Sequence, residues 1–566
     1  MTGTNEHQSG GTEAPDLPTI TINGEWVTLL QGQETHTLAR YFPAYLQGRR
    51  WFGGKARTIN AVHIAGTLPL AFMDEQAYLS WLEVDYTDGD TEIYVLPLAF
   101  ATGERARRLV AEQYRTILAR VKMSGNGIEG ILYDALVEPA FCSALLTTIG
   151  DGQLLQSAEG QLLPSTTGAF KQLLGSSSPV LDPRIVNAEQ SNTSVIYGDR
   201  FIMKLFRRLE SGINPDLEIG RFLTEHTAFA HVPPVAGALE YRPQDGVPMT
   251  LAILQGFVPN QGDAWSYTLE ELEAYFKHTA TEQAAPQAAA LSTGQLLALA
   301  AQPLSPEAQA SLGRYAESAR LLGQRTGELH VALASNSTET SFAPELFTEE
   351  FQRAFHASST AAARRAFSTL RNALAHLPQA TQPSAQALLD REEAILDRFE
   401  PLLAHPLTAL RIRCHGDYHL GQVLFTGQDF FIIDFEGEPA RPLNERQRKS
   451  SALQDVAGML RSLHYAPYAA LRSRSSGPFG HPAEAVPQDG WARAWHRWAS
   501  TAFLNGYLAA TRQATFLPQT RAELQRLLDI YLLDKAIYEM VYELNNRPDW
   551  ITIPLEGILQ LLETAA

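Results

Sequence analysis

The sequence predicts an α+β chain of several domains, rich in strands through its first half and mostly helical in its second. Its 566 residues exceed one ordinary domain, and 45% hydrophobic with 19% charged residues is the balance of a folded chain with ample core. Alternating apolar runs recur at 64–68, 78–86, 92–100, 194–206 and 249–254, whereas 306–330 and 345–400 carry helical spacing. A third observation is the stretch 412–439, where Val423 to Phe425 and Phe430 to Ile433 flank the turn Thr426-Gly427-Gln428-Asp429, a β-hairpin set among polar residues.

Charge and cysteine content exclude several classes. A formal charge of −17 argues against nucleic acid or an anionic membrane surface as the main partner. Two cysteines, Cys142 and Cys414, make no disulfide framework and fit a reducing cytoplasm, where Cys414 reads as a small apolar filler. The polar residues 1–17 read as a disordered tail without a signal peptide, and no apolar run is long enough to span a membrane.

From Leu17 to Leu30, two β-rich runs around Asn23-Gly24 predict a hairpin. The motif Arg50-Trp51-Phe52-Gly53-Gly54-Lys55 fails the phosphate-loop spacing, and Ala56 lacks the hydroxyl that would meet magnesium. Packing against neighbouring elements is its expected role, with a mobile lid as the alternative. Gly125 to Gly130 matches G-x-G-x-x-G, but Gln113 to Met123 before it reads as helical, so this match is not expected to touch nucleotide.

Further on, Ser194 to Tyr197, the turn Gly198-Asp199 and Phe201 to Phe206 predict a second hairpin with Lys204 on its returning strand. Glu218 follows on a helix opened by Pro215. Alone, each could be a strand-edge lysine or an exposed glutamate. Upstream of the 412–439 hairpin, and in this order, they read as the ion pair that holds nucleotide phosphates. Ser191, Asn192, Thr193 and Ser194 would form the phosphate-covering loop, without glycine, and Gln255, Phe257 and Val258 the segment that meets adenine.

In the second half, residues 283–310 read as an insert or a loosely packed loop and helix, and 467–490 as a surface loop. Trp491, Trp495 and Trp498 recur at helical spacing and read as core. The 412–439 hairpin brings Asp417, Gln422 and Asp434 to one end, three hard oxygen donors of the kind a magnesium-nucleotide site requires. Near the C-terminus Tyr531, Lys535, Tyr538 and Tyr542 share one helix face with Glu539 beside them. Aromatic faces with polar tips suit a sugar, and the mixed signs favour a neutral acceptor over a cationic aminosugar.

His415-Gly-Asp-Tyr-His-Leu-Gly-Gln422 and Ile433-Asp-Phe-Glu436 resemble the catalytic core of the protein-kinase-like phosphotransferases, the superfamily of aminoglycoside and choline kinases. That resemblance implies that Asp417 orients the acceptor hydroxyl and takes its proton, that Gln422 and Asp434 carry Mg2+, and that ATP is the donor. With Arg50 to Lys55, Gln190 to Ser194, Gln255 to Trp265 and Lys535 to Trp550, the chain resembles the maltokinases. The resemblance implies a protein-kinase-like bilobal fold: a cap domain at 18–115, an intermediate subdomain like the kinase small lobe at 116–258, and a helical lobe at 259–566. It also implies phosphorylation of maltose to maltose 1-phosphate for α-glucan (glycogen) synthesis, often beside a trehalose synthase, with Lys535, Tyr538, Glu539 and Tyr542 at the sugar. Ser450-Ser-Ala-Leu-Gln-Asp455 departs from the family's usual Ser-Pro-Leu-Arg-Asp and puts local contacts at the site entrance in question. A kinase for another small sugar such as glucosamine, and a nucleotide-binding pseudokinase, are the alternatives; the joint presence of Lys204, Asp417, Gln422 and Asp434 argues against the second.

Overall fold

The computed structural model describes residues 17–125, 127–175, 181–186, 191–279, 292–336, 338–404, 406–475 and 485–563. The chain divides into two compact units, residues 1–214 with 235–257, and residues 215–234 with 258–566.

The first unit holds two seven-stranded sheets. One orders Thr19–Ile22, Ile117–Met123, Ile128–Asp134, Thr91–Thr102, Glu75–Tyr86 and Ile59–Phe72, with Arg208–Leu209 pairing to Thr91–Thr102 off that path. The three long strands are the expected antiparallel meander. The expected hairpin at Asn23-Gly24 does not form: Thr19–Ile22 pairs in parallel with Ile117–Met123, and a 3-10 turn over Trp26–Leu29 buries Leu29. Ile117–Met123 is a strand rather than a helix, its charged Arg120 and Lys122 alternating outward between buried residues. The sheet therefore runs to Asp134, past the boundary expected at 115, and Gly125 lies in the turn between two of its strands, away from any strand-to-helix junction.

The Trp-Phe-Gly-Gly-Lys segment packs inside this unit. Phe52 is buried against Tyr94 at 5.1 Å, and a Cβ on Gly54 would lie 2.1 Å from the Tyr86 hydroxyl, so glycine there is required by close approach. Lys55 is exposed and donates to the Arg50 carbonyl at 3.4 Å.

The second sheet orders Leu155–Gln156, Gly160–Thr166, Val235–Pro243, Met249–Gly256, Phe201–Phe206, Asn192–Tyr197 and Pro183–Val186. Its hairpin matches the expectation, and its register sets Ser194 opposite Lys204. Beyond Phe206 the chain passes straight into the first sheet, where the Arg207 carbonyl accepts from Val95 N–H at 2.8 Å.

The second unit is helical around one extended core. The helices Tyr315–Leu333 and Ala485–Ala510 run in close contact because glycines face backbone: a Cβ on Gly323 would sit 1.8 Å from the Phe503 carbonyl, and one on Gly506 1.9 Å from the Arg320 carbonyl. Within the insert, Thr293–Ala300 and Pro306–Leu312 are helices capped by Ser292 and Ser305, and Leu297, Ala300, Ala308 and Leu312 join the core rather than a loose loop; residues 280–291 lie outside the described residues. The loop expected at 467–490 is likewise mostly helix. Leu453–Ser475 continues through Pro467 because Ala466, Ala469 and Ala470 are buried, and the next helix starts at Ala485, leaving 476–484 outside the described residues. Trp495 and Trp498 are core, with Trp491 packed at its margin. No helix among the described residues is long and apolar enough to cross a membrane.

Candidate active site

The hairpin Val423–Phe425 and Phe430–Ile432 forms in the expected register, with Val423 opposite Ile432, so Gln422 and Ile433 stand side by side and bond at 3.0 Å from Ile433 N–H to the Gln422 carbonyl. The pairing sets Gln422 and Asp434 at one end of the hairpin, local geometry that the sequence contains.

Asp455, in the first turn of the helix Leu453–Ser475, holds the loop before the hairpin. Its carboxylate accepts from the backbone N–H of His415 at 2.8 Å and of Gly416 at 2.9 Å, while His330 bonds it at 3.0 Å and Tyr507 bonds the other ring nitrogen of His330 at 3.1 Å. Burial favours the neutral acid, but the bond and charge of His330 and the other donors win, holding this carboxyl below its ordinary range. His415 contacts the Ile433 carbonyl through Nε2 at 2.9 Å, and its ring lies tilted 4.9 Å from that of Phe435, which braces the loop. The His419 Nδ1 accepts from Gly421 N–H at 3.1 Å, so its Nε2, 4.0 Å from Asp417, carries the proton of the neutral ring.

Asp434 has φ +67°, one of two non-glycine residues in the left-handed region among those described. Such a conformation costs free energy and persists where surrounding structure fixes it. The next residue supplies part of that fixing, since Phe435 N–H donates to Asp216 at 3.0 Å. Asp216, Asp434 and Glu436 bring ligand oxygens within 4.8 Å of one another. This is a hard-oxygen donor set that fits a divalent cation such as magnesium. Asp216 and Glu436 were missed in the sequence; Asp216 looks like an acid in the first turn of the helix Pro215–His226, and only folding brings it to the hairpin. Glu218, expected as a lysine's partner, meets Arg413 at 2.8 Å.

Asp417 faces Lys535 of the helix Arg521–Asn546, Oδ1 to Nζ, at 3.0 Å. Burial pushes the carboxyl up, and Lys535 with His419 more than reverses it, so Asp417 sits below its ordinary range and is ionised at neutral pH. Lys535 and the neighbours of Asp417 in the chain, Gly416 and Tyr418, line a cavity of about 600 Å3. The helix Arg521–Asn546 adds Tyr531, Asp534 and Tyr538, and the loop after the hairpin Glu438 and Arg441. Its far wall, not foreseen, is the start of the helix Glu349–Ala373, where Phe355 stacks on Tyr531 at 5.0 Å.

The four expected sugar residues divide. Lys535 and Tyr538 line the cavity, the Tyr538 hydroxyl being raised by burial and by its bond to Glu438. Glu539 turns to Arg461, 2.7 Å away, and Tyr542 is 43% exposed beyond the lining, stacked on Tyr538.

In the first unit, Asn192 to Ser194 are strand, so the expected phosphate loop is shorter: Ser191 is exposed ahead of the strand, and 187–190 lie outside the described residues. The Thr193 hydroxyl accepts from Arg207 Nε at 2.9 Å, and Ser194 is buried. Lys204 is half-buried, its ammonium 5.4 Å from the Phe206 ring centre. Gln255 closes the strand Met249–Gly256, and Phe257 N–H donates to the Arg200 carbonyl at 2.9 Å. The Val258 carbonyl, in the second unit, accepts from the Asn260 side chain at 2.9 Å.

Residues 45–137 match the family model described as the maltokinase N-terminal cap domain, and residues 184–437 that of the phosphotransferase enzyme family. A glucosamine kinase of Streptacidiphilus jiangxiensis is 25% identical over 393 residues, covering 68% of this chain and 74% of that protein. A second, from Mycolicibacterium smegmatis (strain ATCC 700084 / mc(2)155), is 24% identical over 402 residues, 71% of this chain and 85% of its own. Among solved structures, a glucosamine kinase in complex with glucosamine, ADP and inorganic phosphate superposes with a TM-score of 0.56 at 19% identity, covering 95% of this chain and all of that one. Another crystal form of glucosamine kinase gives 0.57 with the same coverage, a likeness of fold.

Proposed function

We propose that the chain, which matches a maltokinase-type cap and the phosphotransferase enzyme family, is a sugar kinase that transfers the γ-phosphoryl group of ATP to the anomeric hydroxyl of maltose, giving maltose 1-phosphate. The observation that carries the choice of acceptor is the cavity beside Asp417. Its 600 Å3 corresponds to roughly twenty water volumes at about 30 Å3 each, room for a disaccharide and more than a monosaccharide needs. Its lining carries six cationic side chains, Arg411, Arg441, Arg446, Arg448, Lys449 and Lys535, against four acids, Glu350, Glu438, Glu445 and Asp534; of these acids Glu438 is engaged by Tyr538 and Asp534 is pushed toward its neutral form by burial. A cationic acceptor would meet an excess of like charge.

In the reaction Asp417 accepts the hydroxyl proton as the sugar oxygen bonds the γ-phosphorus and the bond to the ADP oxygen breaks. Lys535 keeps Asp417 ionised and fixed until the acceptor arrives. Asp434 and Gln422, with Asp216 and Glu436, would hold Mg2+, which when bound neutralises phosphate charge. Lys204 meets the phosphates and Glu218 supports the helix beside them; the backbone around Ser191 to Ser194 covers the nucleotide, and Gln255, Phe257 and Val258 border adenine. Glucosamine is the second reading, favoured by what the named relatives phosphorylate. A phosphate-transfer screen over maltose, glucose, glucosamine, trehalose and maltotriose, with product identification, separates the two; glucosamine turned over more efficiently than maltose rejects the proposed acceptor and leaves the kinase.

A further inference from the structure

The helices Leu453–Ser475, Ala485–Ala510 and Thr552–Glu563 enclose a second cavity of about 110 Å3, apart from the acceptor site. Arg461, Arg493, Arg497, His464, His496 and Ser500 line it, with no carboxylate among its described lining residues. Charge of one sign around a buried space is costly unless something answers it. Arg461 is answered by Glu539 and Arg493 by Asp489, both outside the lining. The Nε of Arg497 has no hydrogen-bond partner. Neither has the hydroxyl of Ser500, which is fully buried; the ring of His464, 3% exposed, has the Gln560 side chain as a hydrogen-bonding neighbour. Burial, then Arg461, push His496 down to about 3, and the same causes lower His464, so both rings are neutral N–H donors near pH 7.

Buried donors left without acceptors in a native fold call for a missing partner. The Arg497 Nε and the Ser500 hydroxyl can both donate, and Arg497 pairs with no carboxylate among the described residues, so an anion with acceptor oxygens fits as their partner. The volume equals roughly four waters at about 30 Å3 each, enough for one tetrahedral oxyanion and too little for a sugar ring. We propose that this cavity is a phosphate-binding site, taking inorganic phosphate or the phosphoryl end of a phosphate ester, with Arg497 and Ser500 as its donors. Its consequence, which rests on the sugar-kinase reading, is regulatory. Arg461 is shared between this cavity and Glu539, one helical turn from Lys535, so an anion drawing on Arg461 loosens the ion pair that anchors the acceptor helix.

Calorimetric titration of the full chain with inorganic phosphate tests the site itself. The parent and Lys204→Ala should show one saturable site at millimolar phosphate or below, and Arg497→Gln and Ser500→Ala should bind at least tenfold more weakly while melting close to the parent. Lys204→Ala separates this site from phosphate held where nucleotide goes. A parallel titration with glucose 1-phosphate distinguishes the sources: matching variant sensitivity means the phosphoryl end of an ester is accepted, and binding by inorganic phosphate alone means the free ion. Unchanged affinity in both Arg497→Gln and Ser500→Ala, loss in Lys204→Ala, or no saturable binding to the parent overturns the proposal, whatever the fate of the acceptor assignment.

Discussion

Two ion pairs, one in each unit, differ in how far they are enclosed. Arg207 and Asp134 meet at 2.7 Å with 3% and 6% of their side chains exposed, whereas Lys535 and Asp417 meet at 3.0 Å with 24% and 19% exposed. The first is enclosed: Arg207 donates to Thr193 at 2.9 Å and lies 4.7 Å from the Trp51 ring centre, its Nη1 being buried without a hydrogen-bond partner, and Asp134 also accepts from Leu136 N–H at 3.2 Å. It ties the cap sheet to the hairpin that bears Lys204. The second pair is closed on one side and opens on a cavity on the other, with both partners displaced from their ordinary ionisation. An enclosed ion pair fixes a fold; one that opens on a cavity is poised for a substrate group.

Breaking the open pair at its acid should give the largest effect. Asp417→Asn keeps the shape but leaves Lys535, 24% exposed, without its counter-charge, so melting should fall less than for the closed pair and ADP affinity should stay at the parent's. Turnover should fall by about two to four orders of magnitude, as expected when proton acceptance and orientation are lost. Parent-rate turnover by purified Asp417→Asn would remove it from the reaction.

The closed pair should respond in the opposite currency. Asp134→Asn leaves a buried guanidinium without its counter-charge, a loss of about 3–5 kcal/mol. Thermal unfolding should shift down by several degrees, while molecules that remain folded turn over at the parent kcat. A specific fall in kcat with unchanged melting would show that the closed pair is not merely structural. The same logic applies to Lys55: exposed and donating to the Arg50 carbonyl, it favours packing over a lid for the Arg50–Lys55 segment, and Lys55→Ala should change neither melting nor turnover appreciably.

How much of this was legible follows the range of each interaction. The catalytic hairpin, the meander of Glu75–Tyr86 and its neighbours, and the hairpin of Lys204 depend on contacts between residues close in sequence, and alternation with turn residues revealed them. The parallel pairing of Thr19–Ile22 with Ile117–Met123 spans about a hundred residues, so Asn23-Gly24, a favourable turn, had no returning strand to close. In the site, Asp417 and Asp434 carried a pattern, but Asp216 reaches Asp434 only through the fold. Glu539 was placed on the right helix, yet which neighbour it would meet depended on Arg461 of another helix, and no spacing encodes that.

Removing the lysine from the open pair sharpens the contrast further. In the folded state Asp417 is depressed below its unfolded value, so its contribution to stability is present above the ordinary carboxylate range and lost as pH falls through the folded pKa. Lys535 moves the other way: burial lowers it, Asp417, Glu539 and Glu438 raise it further, and its contribution is lost only as pH rises through its raised folded value. Near neutral pH both are charged. Lys535→Met removes the charge that opposes burial of Asp417, so the acid limb of kcat/KM against pH should move upward, with turnover near pH 7 down roughly tenfold, about 1.4 kcal/mol. An unmoved acid limb would mean that Lys535 binds substrate without tuning the base.

The smallest expected effect comes from the edge of the open pair, and it bears most directly on the acceptor. Tyr538 lines the cavity, and its hydroxyl bonds Glu438, so each removes a polar group of the other from competition for substrate. Tyr538→Phe keeps the ring and its 6.4 Å stacking on Tyr542 while deleting that one bond. A bond to a charged group is worth about 1.5–3 kcal/mol, but a half-exposed carboxylate recovers much of this from water, leaving a rise of several-fold in the maltose KM with kcat and the ATP KM unchanged. The released Glu438 also has a second consequence. With its hydroxyl partner gone it becomes an acidic group facing the cavity, so the efficiency ratio of glucosamine to maltose should rise in Tyr538→Phe even as maltose use declines. Side-by-side kinetics with both sugars measure that ratio. A ratio that falls would mean that Glu438 already serves an acceptor ammonium through the tyrosine-ordered geometry, and the aminosugar reading would then replace the disaccharide one.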